Sequence, residues 1–101
     1  MMRIAVIDDD IVVRKILQNT FSSVSGETDL FETAAAFFDS LSTEKEYDAV
    51  IMDLYLPDMD GINVLKNFQR KGLQIPVIVY SKAAAKEVVM QALSLGARSY
   101  L

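Results

Sequence analysis

Short apolar runs alternate along the chain with segments whose apolar residues recur at helical spacing. The runs Ile4–Ile7, Ala49–Met52 and Val77–Tyr80 are almost continuously apolar, as strands are when both of their faces are buried in a parallel sheet. The intervening segments have the period of amphipathic helices. This alternation predicts a doubly wound α/β fold, with a parallel sheet covered by helices on both faces.

Weaker signals complete the pattern of elements. Ser22, Ser23, Ser25 and Gly26 are expected to end the first helix at Phe21, and Gly96 to end the last one. The remaining predictions are a helix over Ile11–Phe21, an edge strand near Thr28–Phe31, a helix capped by Thr33 that runs to Leu41, a helix from Ile62 to Lys71, a helix over Ala84–Leu95 and a fifth strand over Arg98–Leu101.

Polar side chains follow the three most apolar strands. The acids Asp8, Asp9 and Asp10 come after the first run, Asp53 follows the third strand and Ser81 the fourth. Carboxyl ends of parallel strands share one edge of a sheet, where ligands bind. Carboxylates brought together there would repel one another unless a divalent cation intervened. The pattern therefore favours a Mg2+ site, although any one of these acids alone is more often a helix cap or a solvated loop residue.

Composition narrows the chemistry. The 101 residues include no Cys and no His, which excludes a thiolate metal site, a cysteine nucleophile and a phosphohistidine on this chain. The net charge of −4 argues against nucleic acid or an anionic membrane as a direct partner. We find no signal peptide and no apolar run long enough for a membrane span, so a cytoplasmic location is expected.

Four segments together resemble the receiver domains of bacterial two-component response regulators. Val6–Asp10 is similar to the paired-acid turn of that family, and Ile51–Gly61 to the segment around its phosphorylated aspartate. Ile75–Ser81 resembles the fourth strand with its terminal hydroxyl residue, and Leu95–Leu101 the Gly-Ala turn into the fifth strand. The resemblance covers residues 1–101 and implies a flavodoxin-like strand order, 2-1-3-4-5.

The resemblance also implies a chemical role for the acids. Asp53 would accept a phosphoryl group from a phosphohistidine on a sensor histidine kinase or a phosphotransfer protein. Mg2+ would be held by Asp8, Asp9 and Asp53, together with the main-chain carbonyl of Tyr55. The chain would then be a signalling domain rather than an enzyme, with only self-phosphorylation and slow self-dephosphorylation at Asp53.

Two further residues would transmit the phosphorylated state. Ser81 would hydrogen-bond the phosphoryl group, and Tyr100 matches the aromatic residue that turns inward when that hydroxyl shifts. Together they would reshape the face of the fourth helix and the fifth strand and so control an output. The plainer interpretations are a helix-capping serine and an ordinary strand aromatic.

The sequence departs from the family pattern in two places. It ends before the family's lysine and its fifth helix, so we expect a C-terminally truncated receiver domain whose exposed apolar surface beside Ile11–Phe21 favours a homodimer. Lys82 stands where the family usually has a small residue. It is either a solvated loop lysine or a group that alters phosphoryl entry at Asp53.

Two rival functions stay open at this stage. Asp8–Val12 also fits the short Asp-x-Asp-x-Val pattern of haloacid-dehalogenase-type phosphatases, in which Asp8 would be the nucleophile and Asp10 the general acid. A degenerate receiver that acts only as an interaction module is the second rival. The intact set of Asp8, Asp9, Asp53 and Ser81 argues against it.

Overall fold

The computed structural model describes residues 2–43, 46–81 and 85–100. The strands are β1 (Met2–Ile7), β2 (Gly26–Phe31), β3 (Ala49–Asp53), β4 (Val77–Tyr80) and β5 (Ser99–Tyr100). The α-helices are α1 (Ile11–Ser25), α2 (Ala34–Ser40), α3 (Gly61–Arg70) and α4 (Lys86–Ser94), and a short 3-10 helix, Leu41–Thr43, follows α2.

All five strands lie in one sheet in the order β2-β1-β3-β4-β5, and every pair of neighbours is parallel. The predicted α/β class and the flavodoxin-like order are confirmed. The weak second strand does lie at an edge. Strands β1 and β3 are central neighbours, so their carboxyl ends stand side by side at one edge of the sheet.

The core has two parts, one on each face of the sheet. Alternate residues of β1 divide between them: Ala5 and Ile7 belong to a large cluster that includes α2, α3 and α4, whereas Ile4 and Val6 belong to a smaller one. On the smaller face, Leu17 and Phe21 of α1 pack against the buried strands. Burial on both faces explains why the strand sequences are continuous apolar runs.

Helix α1 extends to Ser25, four residues past the predicted end at Phe21. The expectation that serines would break it was wrong. The Thr20 and Ser22 hydroxyls donate to the carbonyls of Ile16 and Asn19, at 2.8 and 3.3 Å, so hydroxyl side chains are accommodated within the last turns. Gly26, with φ of 96°, then turns the chain directly into β2, which therefore starts earlier than predicted.

The bounds of the other helices and strands differ from the predicted ones by smaller amounts. Helix α4 begins at Lys86, and the predicted start at Ala84 lies outside the described residues, as does Leu101 at the end of the predicted fifth strand. Thr33 caps α2 as predicted, accepting from the Ala36 amide at 3.1 Å. The expectation that residues 1–101 form a C-terminally truncated receiver domain stays a prediction.

Helix α1 carries three large apolar side chains that are more than half exposed, namely Ile11, Val12 and Ile16. These side chains are on the helix itself, so the apolar surface expected on the sheet beside Ile11–Phe21 stays a prediction. The homodimer inferred from it stays a prediction. No helix in the described part of the chain is long and apolar enough to cross a membrane.

Candidate functional site

Three carboxylates meet where β1 and β3 end. Ile7 and Met52 are register partners in the parallel pair, so the residues that follow them, Asp8 and Asp53, are neighbours. Asp9 joins them, and each of the three acids offers a carboxylate oxygen within 4.8 Å of the others. The sequence prediction that Asp8, Asp9 and Asp53 converge at one edge of the sheet is confirmed.

Asp8 is the buried member of the trio, with 2% of its surface exposed. Its Oδ1 accepts a hydrogen bond from the Asp10 amide at 2.7 Å, and its Oδ2 accepts one from the Tyr80 hydroxyl. The Arg14 guanidinium donates to the main-chain carbonyl of Asp8 at 2.6 Å. The Asp10 amide and the Tyr80 hydroxyl compensate for burying the carboxylate away from water.

Asp10 has a structural role beside the trio. Its carboxylate accepts from the Val12 amide at 2.9 Å and thereby caps α1. Aspartate is among the preferred N-cap residues because it satisfies an amide that has no partner within the helix. For Asp10, therefore, the helix-cap interpretation is the one that the structure supports.

Asp53 is half-buried and accepts from the Tyr55 amide at 3.1 Å. Burial raises the pKa of its carboxyl group, and the negative charges of Asp8 and Asp9 raise it further, whereas main-chain amide donors act in the opposite direction. The charged form of Asp53 is therefore disfavoured in the trio as it stands. A bound cation would relieve this repulsion.

The donor set fits Mg2+. Carboxylate oxygens are the ligands that this hard cation prefers, and it needs only one or two of them because water or phosphate oxygens fill its other positions. The Tyr55 amide contacts Asp53, which places Tyr55 next to the trio. Coordination by the Tyr55 carbonyl stays a prediction.

Strand β4 brings two hydroxyl-bearing residues to the same edge. Tyr80 is the register partner of Asp53, and its carbonyl accepts from the Leu54 amide at 3.0 Å. Ser81 comes directly after it and is half-buried. The main-chain carbonyl of Ser81 accepts a hydrogen bond from the Tyr100 hydroxyl at 3.0 Å, so the two residues proposed as a switch are in contact.

The loop after Asp53 is held by its own acids and by a close backbone approach. Asp58 accepts from the amides of Ala34 and Ala35, at 3.1 and 3.0 Å, at the start of α2. Asp60 caps α3. The Gly61 amide donates to the Leu54 carbonyl at 2.6 Å. The loop that follows Asp53 is thereby fixed at Asp58, at Asp60 and at Gly61.

Sequence reasoning missed two residues of the site, Arg14 and Tyr80. Both contact Asp8. Arg14 is one of several polar residues on a helix, and Tyr80 was counted as the last apolar residue of a buried strand. A tyrosine at the carboxyl end of such a strand was the available signal for Tyr80, since its hydroxyl needs a partner when the ring is buried. Lys82 lies outside the described residues, and the prediction about it stays open.

A doubly wound parallel sheet with three acids beyond its central strands defines a class of α/β domain that binds its ligand at the topological switch point. The chain belongs to the response regulator receiver domain family, whose family model matches residues 4–101. It is thus a domain of a signalling protein, as the sequence resemblance predicted. Membership of this family and the capping role of Asp10 both favour the receiver over the phosphatase alternative.

Similar proteins with curated names include two regulators. The chain is 35% identical to the transcriptional regulatory protein QseB of Escherichia coli O157:H7, covering 99% of this chain and 45% of that protein. It is 33% identical to the probable C4-dicarboxylate response regulator DctR of Bacillus subtilis, covering 98% and 44%. The chain thus spans less than half the length of these relatives.

One relative is an enzyme. The protein-glutamate methylesterase/protein-glutamine glutaminase of Trichodesmium erythraeum is 30% identical over 98% of this chain, but the match covers 29% of that protein. The receiver family therefore occurs within longer proteins of different activity.

Solved structures agree with this placement. The receiver domain of Francisella response regulator 1452 superposes with a TM-score of 0.89 at 25% identity, over 100% of this chain and 83% of that one. The BeF3-activated DrrB receiver domain gives a TM-score of 0.84 at 26% identity, over 100% and 84%.

Proposed function

We propose that Asp53 accepts a phosphoryl group from a phosphohistidine on a sensor histidine kinase or phosphotransfer protein, in a Mg2+-dependent reaction. The observation that carries the proposal is the convergence of Asp8, Asp9 and Asp53, whose carboxylate oxygens lie within 4.8 Å of one another. An oxygen of Asp53 attacks phosphorus, the P–N bond to the imidazole breaks, and the imidazole leaves. The product is an acyl phosphate on Asp53.

The surroundings of the acids support Asp53, rather than Asp8, as the nucleophile. Asp8 is buried and both of its carboxylate oxygens accept hydrogen bonds from within the chain. Asp53 is more exposed than Asp8 and belongs to the same cluster. A phosphoryl donor on another protein can reach the more exposed Asp53, whereas the buried Asp8 is engaged by its neighbours.

Asp8, Asp9 and Asp53, with the main-chain carbonyl of Tyr55, would hold Mg2+. When bound, the cation neutralises negative charge on the carboxylates and on the transferring phosphoryl group, which supplies much of the catalysis in phosphoryl transfer. The residues of the chain position Asp53 for in-line attack: β3 fixes its backbone and the Tyr55 amide orients one oxygen. The Ser81 hydroxyl would donate a hydrogen bond to a phosphoryl oxygen.

A change at Asp53 would reach the output face through Ser81 and Tyr100. Phosphorylation adds roughly −1.5 to −2 charges and new acceptor oxygens. A shift of Ser81 toward these oxygens would move the carbonyl that Tyr100 contacts at 3.0 Å. We propose that α4 and β5 change together in response and thereby control an output.

The wider setting follows from the relatives and the charge. Residues 1–101 would serve as the receiver domain of a cytoplasmic regulator, with the output performed elsewhere. The net charge of −4 makes direct contact between this domain and nucleic acid unfavourable. Exposed Ile11, Val12 and Ile16 on α1 offer an apolar surface for a second copy.

Incubation with acetyl phosphate and Mg2+, followed by mass spectrometry of the intact protein and of its peptides, tests the proposal. We expect one phosphoryl adduct, located on Asp53, that does not form when Mg2+ is omitted from the incubation. Asp53→Asn should abolish it. Asp10→Asn is the matched control, because asparagine keeps the helix cap and leaves the trio intact, so its adduct should persist.

Each alternative has its own outcome. An adduct on Asp8 would support the phosphatase alternative. A folded protein that binds its partner but never acquires an adduct would support the interaction-only receiver. Either result would overturn the assignment of Asp53.

A further inference from the structure

Tyr80 connects β4 to the buried acid of β1. It is the last residue of β4 and the register partner of Asp53 on β3. Strand β3 lies between β1 and β4 in the sheet. Its ring packs against the smaller core cluster of Ile4, Val6 and Ile51, and its hydroxyl donates to Oδ2 of Asp8. The side chain therefore reaches past the end of β3, beside the phosphoryl-accepting residue.

The carboxylate of Asp8 is fixed from two sides. The Asp10 amide, at the start of α1, holds Oδ1 at 2.7 Å, and the Tyr80 hydroxyl, at the end of β4, holds Oδ2. Both donors are anchored, one by helix capping and the other by core packing, so the carboxylate plane has little freedom to rotate. With 2% of Asp8 exposed, water does not replace these donors readily.

A hydrogen bond to a ligand oxygen leaves that oxygen able to bind a cation. Each carboxylate oxygen has two lone pairs, so Oδ2 can accept from the phenol with one and contact a cation with the other. Groups that hydrogen-bond metal ligands orient them, and removing such a group typically lowers metal affinity about 10–100-fold. The position of Tyr80 meets this requirement.

We propose that Tyr80 is a positioning residue whose hydroxyl holds the Asp8 carboxylate in the orientation that binds Mg2+. The inference rests on the proposed function for the Mg2+ site and adds a residue that acts through Asp8. Loss of the hydroxyl should weaken Mg2+ binding while the aromatic ring continues to fill the core.

The chain contains a matched control for this hydroxyl. Tyr47 also donates from its phenol to a carboxylate, that of Asp29, at 3.0 Å. Asp29 also accepts a hydrogen bond from Arg3 on β1, and it is not one of the three carboxylates of the trio. Tyr47→Phe therefore removes the same chemical group without touching the candidate Mg2+ site.

Titration calorimetry with MgCl2 on the unaltered protein, Tyr80→Phe and Tyr47→Phe tests the proposal. We expect the dissociation constant to rise about tenfold for Tyr80→Phe and to stay within twofold for Tyr47→Phe. The Asp10 amide resonance, recorded without Mg2+, should shift in Tyr80→Phe only, because that amide donates to the same carboxylate.

Unchanged or tighter Mg2+ binding by folded Tyr80→Phe would overturn the positioning role and leave the proposed function intact. Failure of the unaltered protein to bind Mg2+ would overturn both. A second measurement needs no variant: Mg2+ should shift the ring resonances of Tyr80 but not those of Tyr47. An unmoved Tyr80 ring at saturating Mg2+ would also count against the proposal.

Discussion

The hydroxyl of Tyr100 on β5 donates a hydrogen bond to the main-chain carbonyl of Ser81, at 3.0 Å. The contact joins the last described strand to the residue that follows β4, whose final residue is in turn paired with Asp53. Tyr100 is half-buried and its ring packs against the larger core cluster. Its hydroxyl therefore depends on the position of the Ser81 backbone. A movement of the Ser81 backbone would therefore change a hydrogen bond of β5 directly.

Tyr100→Phe should retain phosphorylation at Asp53 and lose part of its effect on α4 and β5. Removing this hydrogen bond should also lower the free energy of unfolding by about 0.5–1.5 kcal/mol. Hydrogen exchange of the α4 amides, with and without acetyl phosphate, measures the response, and urea unfolding measures the stability. If phosphorylation changes α4 exchange equally in both proteins, Tyr100 does not transmit the signal.

Asp53→Asn should stabilise the Mg2+-free protein at neutral pH. Burial and the charges of Asp8 and Asp9 raise the pKa of Asp53 in the folded state, so folding favours its protonated form. The resulting destabilisation is absent below the ordinary aspartate pKa of about 3.9, develops as pH rises, and is complete above the raised pKa. Asparagine avoids it.

Thermal unfolding of both proteins between pH 3 and pH 8 checks this expectation. The melting temperature of Asp53→Asn should exceed that of the unaltered protein at pH 7, and the two should converge at the acid end. A constant difference across the whole range would show that ionisation of Asp53 is not its cause.

If the folded trio binds Mg2+ as proposed and the unfolded chain does not, Mg2+ should raise the melting temperature. At a concentration 100 times the dissociation constant, one site contributes about 2.7 kcal/mol. Asp8→Asn should remove most of this gain, whereas Asp10→Asn, which keeps the helix cap, should keep most of it. Equal gains in all three proteins would place the cation elsewhere.

Gly61→Ala should destabilise the protein by about 1–3 kcal/mol through overpacking. A β-carbon at this position would lie 2.8 Å from the Cα of Leu54, which is backbone and moves little. The same substitution should slow phosphorylation, because Leu54 is next to Asp53. Lys66→Ala, on the exposed side of α3, is the control and should change stability by less than about 0.5 kcal/mol.

The sheet could be predicted because burial on both faces leaves a simple trace in the sequence. The run Val77–Tyr80 coincides with β4, and Ala49–Met52 with all but the last residue of β3. The end of α1 could not be predicted from the same signal, since hydroxyl side chains near Ser22 are compatible with either a break or a continued helix. Their hydrogen bonds to carbonyls decide between the two.

The trio of Asp8, Asp9 and Asp53 was predictable because parallel neighbours bring their carboxyl ends together. The part played by Tyr80 was not, since it depends on the reach of one side chain past an intervening strand. The local sequence indicates that the hydroxyl of a buried strand tyrosine needs a partner, but not that this partner is an acid 72 positions away. Contacts of this kind depend on strand order as well as on strand identity.

The central place of β1 also governs when the site can form during folding. β1 is synthesised before its two neighbours in the sheet, β2 and β3, which begin at Gly26 and Ala49. Non-local parallel pairings of this kind form slowly. Asp8 and Asp53 cannot meet until β3 has docked on β1. In a nascent or partly folded chain, Asp53 would thus lie apart from Asp8 and Asp9, and the trio would assemble late, together with the pairing of β1 and β3.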